Sequence, residues 1–408
     1  MEGGLSIGLR SPGVAPSVQV AEAEMPSSTS EALRLPVDPW LLAAAIGLGI
    51  CSILTLGSTG NGSTPSAHYY VERQSIYLGL GFVAMLVVSR FDYAPLRRAA
   101  RGIYIALLVS LLAVWAGGSS ANGSVRAIQF PLFSFQASEI GKVLLIVALA
   151  GFLVDRFRHI RERRTTAQVM LLALVAALFV MVQPDIGSSM VYVVIAFTIL
   201  FVGGVSGKQL ATLLALAAVA VTVVLFAAPA AGVHLLKPYQ QERLTAFLHP
   251  STNAQKQGYQ QEESKIAIGS GQKTGSESAP QTTLHFVPEA QTDFIFAAVG
   301  ERYGFVGAAL VLSLYALLIW RILRILTLSK DLFGALIAGG VVAMVMFQVF
   351  INVGMAIGIS PITGITLPLM SYGGSSVLST MLALGLVQSV YSQARTTNAR
   401  KGRALVVD

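Results

Sequence analysis

The chain has 408 residues, of which 54% are hydrophobic and only 12% are charged, and its mean hydropathy is +0.67. Soluble domains carry about 25% charged residues, so this composition excludes an ordinary soluble domain. Apolar runs of about 20 residues recur, which is the length needed to cross a bilayer. We therefore expect an all-α polytopic membrane protein, a bundle of about ten transmembrane helices with one large extracytoplasmic loop. The single cysteine, Cys51, excludes an intramolecular disulfide.

Three segments are predicted along the chain. Residues 1–38 are rich in Ser, Pro, Gly and Glu and are predicted to be a disordered cytoplasmic segment. Residues 39–393 form the ten-helix membrane domain, in which 230–291 are the large extracytoplasmic loop, and 394–408 are a basic cytoplasmic tail. The spans are predicted near 39–57, 74–89, 102–119, 139–155, 167–183, 187–205, 210–229, 306–325, 333–357 and 372–392. An extra apolar piece at 294–299 is too short to cross and predicts a half-helix.

The distribution of Lys and Arg predicts the orientation. Of the 28 basic residues, 19 fall in the termini and in the connections on one side of the predicted bundle. Five of the other nine lie in the single long polar run. Since basic connections stay in the cytoplasm, both termini are predicted to be cytoplasmic. Topology and contact with anionic membrane lipids account for the net charge of +8, and no nucleic-acid partner is needed.

The motif that closes the long polar run, at 287–297, carries the main candidate for chemistry. Asp293 lies where the sequence turns apolar again. An ionisable residue at the mouth of a membrane segment is costly to place there and is a functional candidate by default. The alternative is that Thr292 and Asp293 only cap the helix that follows. The two roles are compatible.

A second candidate is a charged pair at the start of the fourth span. Glu139 and Lys142 are three residues apart and lie on one helix face, where they can pair. Such a pair should face the bundle interior or a wet cavity. It is either a structural ion pair that fixes helix register or a means of directing the Lys142 cation into an outward-facing cavity.

Three further motifs indicate irregular backbone. Gln-Pro-Asp-Ile-Gly at 183–187 is typical of a sharp turn between two spans. At 265–271, the Gly and Ser residues beside Lys265 suggest an interfacial segment whose N–H groups could face an anion. The Pro- and Gly-rich stretch at 360–376 predicts a loop that lines a cavity, or else a kinked helix packed through small residues. The sequence has no His/Cys cluster with metal spacing and no dinucleotide fingerprint.

In this order, the motifs resemble those of the SEDS family of cell-wall polymerases, the RodA, FtsW and SpoVE proteins, over roughly 70–395. The most specific are Thr-Asp-Phe-Ile-Phe at 292–296 and Ser-Tyr-Gly-Gly-Ser-Ser at 371–376. The stretches 264–271 and 352–355 are more similar to the RodA branch. Departures from the family pattern are Gln291 in place of His, Ala127 in place of Trp, and no glycine-rich run across 271–283; they concern loops and partner contacts.

The resemblance implies a peptidoglycan glycosyltransferase that polymerises lipid II on the outer face of the bacterial cytoplasmic membrane, for elongation or division. It also implies a class B penicillin-binding protein as the partner for crosslinking. Asp293 would be the catalytic base, and cations would assist the departing lipid pyrophosphate. The implied substrate-binding residues are Glu139, Lys142, Arg243, Lys265, Glu289, Thr292, Ser371 and Ser375. The resemblance makes no cofactor certain, and it leaves a divalent cation, Mg²⁺ or Mn²⁺, open.

Two other functions are compatible with a polytopic protein. A lipid II flippase should carry its binding groups near the bilayer midplane on broken helices, often in two repeated halves. The sequence shows no such repeat, and its polar groups cluster at the predicted outer end. A non-catalytic scaffold of the division machinery would not need a carboxylate at the membrane edge.

Overall fold

A computed structural model describes residues 37–59, 67–117, 119–121, 124–129, 134–224, 229, 257–275 and 290–407, with 397–407 described by their backbone alone. Twelve α-helices and one short 3-10 helix, Phe157–His159, are found in these ranges. The helices are α1 (Pro39–Thr59), α2 (Ala67–Arg90), α3 (Ala94–Arg98), α4 (Ala100–Gly117), α5 (Ala137–Asp155), α6 (Arg163–Val182), α7 (Ile186–Val202), α8 (Gly207–Thr222), α9 (Gln257–Ser270), α10 (Ile295–Leu328), α11 (Leu332–Ala356) and α12 (Gly374–Val407).

A small antiparallel sheet lies in the connection between α4 and α5. Its strands are β1 (Ser119–Ala121), β2 (Ser124–Gln129) and β3 (Ser134–Phe135), in the order β1-β2-β3. β3 ends two residues before α5 begins, so the sheet sets the entry of the helix that carries Glu139 and Lys142.

The membrane-spanning pattern follows the sequence prediction. Within the described ranges, eight helices are long and apolar enough to cross a membrane, and α7 and α8 are shorter apolar helices of 17 and 16 residues. Together these ten helices match the ten predicted spans one by one. The protein is therefore an all-α, multi-pass membrane protein. Three boundaries differ: α2 begins at Ala67 and not near 74, α8 ends at Thr222 and not near 229, and α12 continues to Val407, so the basic tail extends the last helix.

Three helices form the centre of the bundle. About 78% of the apolar window is buried in α5 and in α11, and 83% in α12, against 22% in α4 and in α10. Small residues allow close packing there: a Cβ added at Gly340 would lie 2.8 Å from Ile146, and one at Gly385 would lie 2.9 Å from the Met85 carbonyl. The outer helices thus face lipid on most of their surface, as their exposed Leu, Val and Ile side chains indicate.

The first residues before α1 belong to the helical bundle. Val37 and Asp38 are buried, although the sequence analysis grouped them with the N-terminal segment. Asp38 accepts from the backbone N–H of Leu41 at 2.9 Å and therefore caps α1. It also pairs with Arg321 of α10, while its own N–H donates to Gln388 of α12. Its buried charge thus has a partner, as burial requires. The rest of the predicted segment, 1–36, lies outside the described residues.

Helix α10 is broken near one end. Gly304 has φ 61° and ψ −157°, which divides α10 into a short half-helix, 295–303, and a long span, 305–328. The predicted half-helix is therefore present, and glycine suits the break because it adopts positive φ at little cost. The backbone N–H groups of Phe305 and Val306 would lack helical partners after the break. They donate instead to the carbonyls of Gln272 and Lys273, at 2.9 and 3.0 Å.

Candidate functional site

The motif at the end of the polar run forms a turn that leads into the half-helix. Residues 290–294 are in turn conformation, and α10 begins at Ile295 with Phe294 at its cap position. The side chain of Phe294 makes no capping hydrogen bond. Asp293 lies one residue before the cap and is partly buried, whereas Phe294 and all residues of 295–301 are buried. The carboxylate is thus at the boundary between the polar and the buried parts of this segment.

The turn is held by the Pro- and Gly-rich stretch that precedes α12. Ser371 Oγ donates to the Thr292 carbonyl at 2.5 Å and accepts from the Leu367 N–H at 2.8 Å. The Tyr372 N–H donates to the Gln291 carbonyl at 2.9 Å. Because Ser371 is buried and its hydroxyl is engaged by two backbone groups, its contacts are with the protein itself. A contact of Ser371 with substrate stays a prediction, and its hydroxyl fixes the turn.

Asn352 of α11 fixes the same turn from the other side. Its Nδ2 donates to the Asp293 carbonyl and to the Ile365 carbonyl, both at 2.8 Å, and the residue is fully buried. The backbone of Asp293 is therefore tied both to a central helix and to the loop that follows that helix. Such fixed backbone contacts position a side chain more tightly than a free loop could.

Helix α9 packs against the half-helix and the end of α11. Ala267 of α9 joins a small apolar cluster with Ala290, Phe294, Ala297, Met355 and Ile362. Two polar residues of α9 satisfy carbonyls at the end of α11: Ser264 donates to the Ala356 carbonyl at 2.9 Å, and Gln261 donates to the Met355 and Ser360 carbonyls. These bonds fasten α9 to the end of α11 and to the loop that follows it.

The glycine motif after α9 brings two backbones into contact. A Cβ added at Gly271 would lie 1.9 Å from the Gly300 carbonyl oxygen, and one at Gly304 would lie 2.4 Å from the Gly275 N. We call Gly271, Gly275, Gly300 and Gly304 the glycine interlock. The sequence analysis considered an anion site here. The structure shows instead that Gly271 makes room for the half-helix.

The predicted pair in α5 is present and buried. Lys142 Nζ lies 2.6 Å from Glu139 Oε1, and the two side chains are 2% and 6% exposed. With its amide oriented to satisfy its neighbours, Gln348 of α11 accepts from Lys142 Nζ at 2.9 Å and donates to the Met344 carbonyl. This corrects the expectation that Lys142 directs its charge into an open cavity: a buried ammonium needs close partners, and Glu139 and Gln348 supply them.

One turn of α11 links this pair to the closing motif. Gln348 and Asn352 are four residues apart, so they share a helix face about 6 Å apart along the axis. The first holds Lys142 and the second holds the Asp293 backbone. With both side chains buried, the prediction that Glu139 and Lys142 face an outward-facing cavity together with Asp293 is not met in this structure.

A second buried network surrounds the turn between α6 and α7. Asp185 caps α7 by accepting from the Ser188 N–H at 3.0 Å, and its other oxygen accepts from Ser138 Oγ at 2.9 Å and from Gln136. Ser375, an expected substrate contact, accepts from the Gln136 N–H at 3.0 Å and donates to the Ser134 carbonyl. It therefore joins the start of α12 to β3 and α5. The 183–187 motif is a turn, as expected, and Asp185 additionally orients α5.

The remaining predicted site residues are partly described. Lys265 is on α9, pairs with Glu262 at 2.7 Å and lies against Gly358, where an added Cβ would be 2.5 Å from Lys265 Cε. Arg243 and Glu289 lie outside the described residues. In the described part of the chain, no group of three or more His, Cys, Asp or Glu side chains is placed to hold a metal ion. An apolar cavity of about 320 Å³ lies between α1 and α10, beside Val299 and Tyr303 of the half-helix.

Comparison with known proteins decides the family. The sequence model of the FtsW/RodA/SpoVE family, described as cell cycle proteins, matches residues 37–396. The chain belongs to this family. The match begins at Val37, where the described bundle also begins, and ends within α12.

Relatives and solved structures agree with this membership. The probable peptidoglycan glycosyltransferase FtsW of Thioalkalivibrio sulfidiphilus is 36% identical over 359 residues, 86% of this chain and 87% of the relative. The peptidoglycan glycosyltransferase MrdB of Escherichia coli K12 is 32% identical over 364 residues, 89% and 95% of the two chains. A chain from the structure described as "Structural coordination of polymerization and crosslinking by a peptidoglycan synthase complex" has 31% identity and a TM-score of 0.74, over 88% of this chain and 98% of that one.

Proposed function

We propose that this protein is a peptidoglycan glycosyltransferase that polymerises lipid II, the polyprenyl-pyrophosphate-linked disaccharide peptide, into glycan strands. The observation that carries the proposal is the fixed turn that places Asp293 at the mouth of a half-helix, held through its backbone by Asn352 and through Thr292 by Ser371. The family membership and the names of the two relatives support the same activity.

Asp293 acts in this proposal as the general base. It takes the proton from the acceptor sugar hydroxyl as the hydroxyl oxygen attacks the anomeric carbon of the donor. The bond from that carbon to the lipid pyrophosphate breaks, and the pyrophosphate leaves with the electron pair. Cations stabilise its growing charge, and Lys265 and Arg243 are the candidates because Lys142 is buried. The apolar cavity between α1 and α10 suits part of the polyprenyl chain.

Lys142 and Glu139 have a positioning role in this proposal. Their contact with Gln348 fixes α5 against α11. Because Asn352 lies one turn further along α11, this contact also fixes the helix that holds the Asp293 backbone. The pair would thus preserve the geometry of the base without touching substrate.

The cellular setting follows from the same family. We propose that the protein lies in the bacterial cytoplasmic membrane with both termini inside and the long polar run outside. This protein is similar to a chain from the structure of a peptidoglycan synthase complex. That similarity favours a class B penicillin-binding protein as its partner. The relatives carry both the FtsW and the MrdB names, so the similarity to the RodA branch stays a prediction and a role in elongation or in division stays open.

The test is polymerisation of purified lipid II by the full chain in detergent, where no flipping is required. Asp293→Asn keeps the size of the side chain and the backbone contacts with Asn352 and Ser371, so folding should be nearly normal while the rate falls about 10²–10⁴-fold. Glu289→Gln should lower it much less.

The matched control is Asp331→Asn, the same chemical change at a residue that caps α11 by accepting from the Gly334 N–H. It should retain polymerisation. Asp293→Asn at the wild-type rate would show that the carboxylate is not the base. No polymer from the folded wild-type chain would favour the flippase or the scaffold.

A further inference from the structure

A cavity of about 430 Å³ lies at the opposite end of the bundle from the α9 and half-helix region, between the start of α4, the end of α5 and the first half of α6. Its rim carries Arg97, Arg98, Arg101 and Arg156, and its walls include Ile105 and Leu172. None of these residues belongs to the proposed glycosyl-transfer site. The cavity therefore has its own chemistry, which does not depend on that proposal.

The rim is strongly basic. Four arginines and one aspartate surround it, which leaves a formal charge of +3. Arg97 Nε pairs with Asp155 Oδ1 at 3.0 Å, and the Arg156 guanidinium stacks on the Phe152 ring at 3.8 Å from its centroid. For Arg98 and Arg101, no carboxylate lies within ion-pair distance in the described part of the chain. Two guanidinium groups at the rim are thus available to an anion.

The walls become apolar with depth. Arg97, Arg98 and Arg101 lie in α3 or the first turn of α4, whereas Ile105, Ala148 and Leu172 lie further along their helices, away from this end of the bundle. Leu172 is nine residues into α6, about 13 Å from its first residue along the axis. Tyr104 donates to the Leu172 carbonyl at 2.8 Å, which holds α4 against α6. The cavity thus combines a cationic rim with an apolar interior.

We propose that this cavity binds an anionic glycerophospholipid of the surrounding leaflet, with the phosphodiester at Arg98 and Arg101 and the beginning of an acyl chain between Ile105 and Leu172. Guanidinium groups bind phosphate oxygens in bidentate geometry. Basic pockets between transmembrane helices at the cytoplasmic side suit such headgroups. A volume of about 430 Å³ is in the range of small-ligand sites, so it holds a headgroup and part of one chain, with the remainder in lipid.

The occupant is a lipid because of the two-part lining. A soluble phosphate compound would use the arginines but leave the apolar walls exposed to water. A zwitterionic phospholipid has the same chains, but its headgroup carries a cation that the +3 rim repels. Only an anionic phospholipid matches both parts.

The test is native mass spectrometry of the full chain in detergent, titrated with cardiolipin and, separately, with phosphatidylcholine. Wild type should bind cardiolipin at least about tenfold more tightly than phosphatidylcholine. Because each arginine that contacts the bound phosphodiester should strengthen binding by a factor of about five, R98Q/R101Q should weaken cardiolipin binding about 25-fold. Arg101→Gln alone should weaken it about fivefold and serves if the double variant folds poorly.

The matched control is R163Q/R164Q, which removes two exposed arginines at the start of α6 that do not line the cavity. It should change the affinity less than about threefold. Equal losses in both double variants, or no loss in R98Q/R101Q, would overturn the proposal, because the binding would then reflect surface charge alone. Displacement of cardiolipin by glycerophosphoglycerol at equal concentration would also overturn it and would indicate a soluble phosphodiester as the ligand.

Discussion

Removing one member of the buried Glu139–Lys142 pair should destabilise the protein far more than removing both. Lys142→Met leaves Glu139 in a buried position where its Oε2 already lacks a hydrogen-bond partner among the described residues. Glu139→Gln leaves the Lys142 ammonium with neutral partners. Breaking a buried pair in this way costs about 3–5 kcal/mol, whereas replacing both charges by apolar side chains is often neutral. E139M/K142M should therefore unfold within about 1–2 kcal/mol of wild type.

The assay is a double-mutant cycle on the unfolding of the purified chain in detergent. The coupling free energy between the two sites should be at least about 4 kcal/mol, which is close to a thousandfold in the unfolding equilibrium. Glu262 and Lys265 provide a matched control because they have the same spacing and a similar separation, 2.7 against 2.6 Å, but side chains 49% and 37% exposed. Their coupling should stay below about 1 kcal/mol.

Two results would refute this reasoning. If either single variant unfolds as wild type does, the pair does not stabilise the bundle. If the buried and exposed pairs give equal coupling, burial does not determine the strength of the interaction.

Three further outcomes follow from other contacts. Gly271→Ala should destabilise the half-helix region and reduce polymerisation, because its Cβ would lie 1.9 Å from the Gly300 carbonyl oxygen. The control is Gly269→Ala, whose Cβ would meet nothing within 4 Å and which should unfold thermally as wild type does. Deletion of residues 1–36 should retain polymerisation. Asp38→Ala should lower the unfolding free energy by about 3–5 kcal/mol, because it leaves Arg321 without its partner. Equal stability of Asp38→Ala and wild type would contradict this. Ser371→Ala should cost about 1–3 kcal/mol and slow polymerisation, because the Thr292 carbonyl and the Leu367 N–H lose their shared partner; an unchanged rate in a destabilised protein would show that the turn does not need this clamp.

Hydropathy and short motifs predicted much of the fold. The ten spans follow from apolar runs because a bilayer demands helices of fixed length. The half-helix followed from a run at 294–299 that is too short to cross, and Gly304 marks its end. These features are local, so a single sequence carries them.

The partners across the bundle could not be predicted in the same way. Gln348 was missed, although a lone Gln in a strongly apolar helix was a usable signal, since polar groups in a membrane helix need a partner inside the bundle. Asp185 was assigned only to a turn, yet it also accepts from Ser138, 47 residues away. Ser371 was predicted to bind substrate because no local pattern reveals that Thr292, 79 residues away, occupies its hydroxyl.

The glycine interlock determines which parts of the site can move together. Backbone lies against backbone at Gly271 and Gly300, and the side chains of Ala267 and Ile268 pack against the half-helix beside this contact. The two segments therefore translate as one rigid unit, and this unit ends at the turn that carries Asp293. A partner that displaces α9 would therefore displace the Asp293 carboxylate by the same distance. Adjustment of the active geometry must then occur where this unit meets α11, at side-chain hydrogen bonds such as those of Ser264, Gln261 and Asn352.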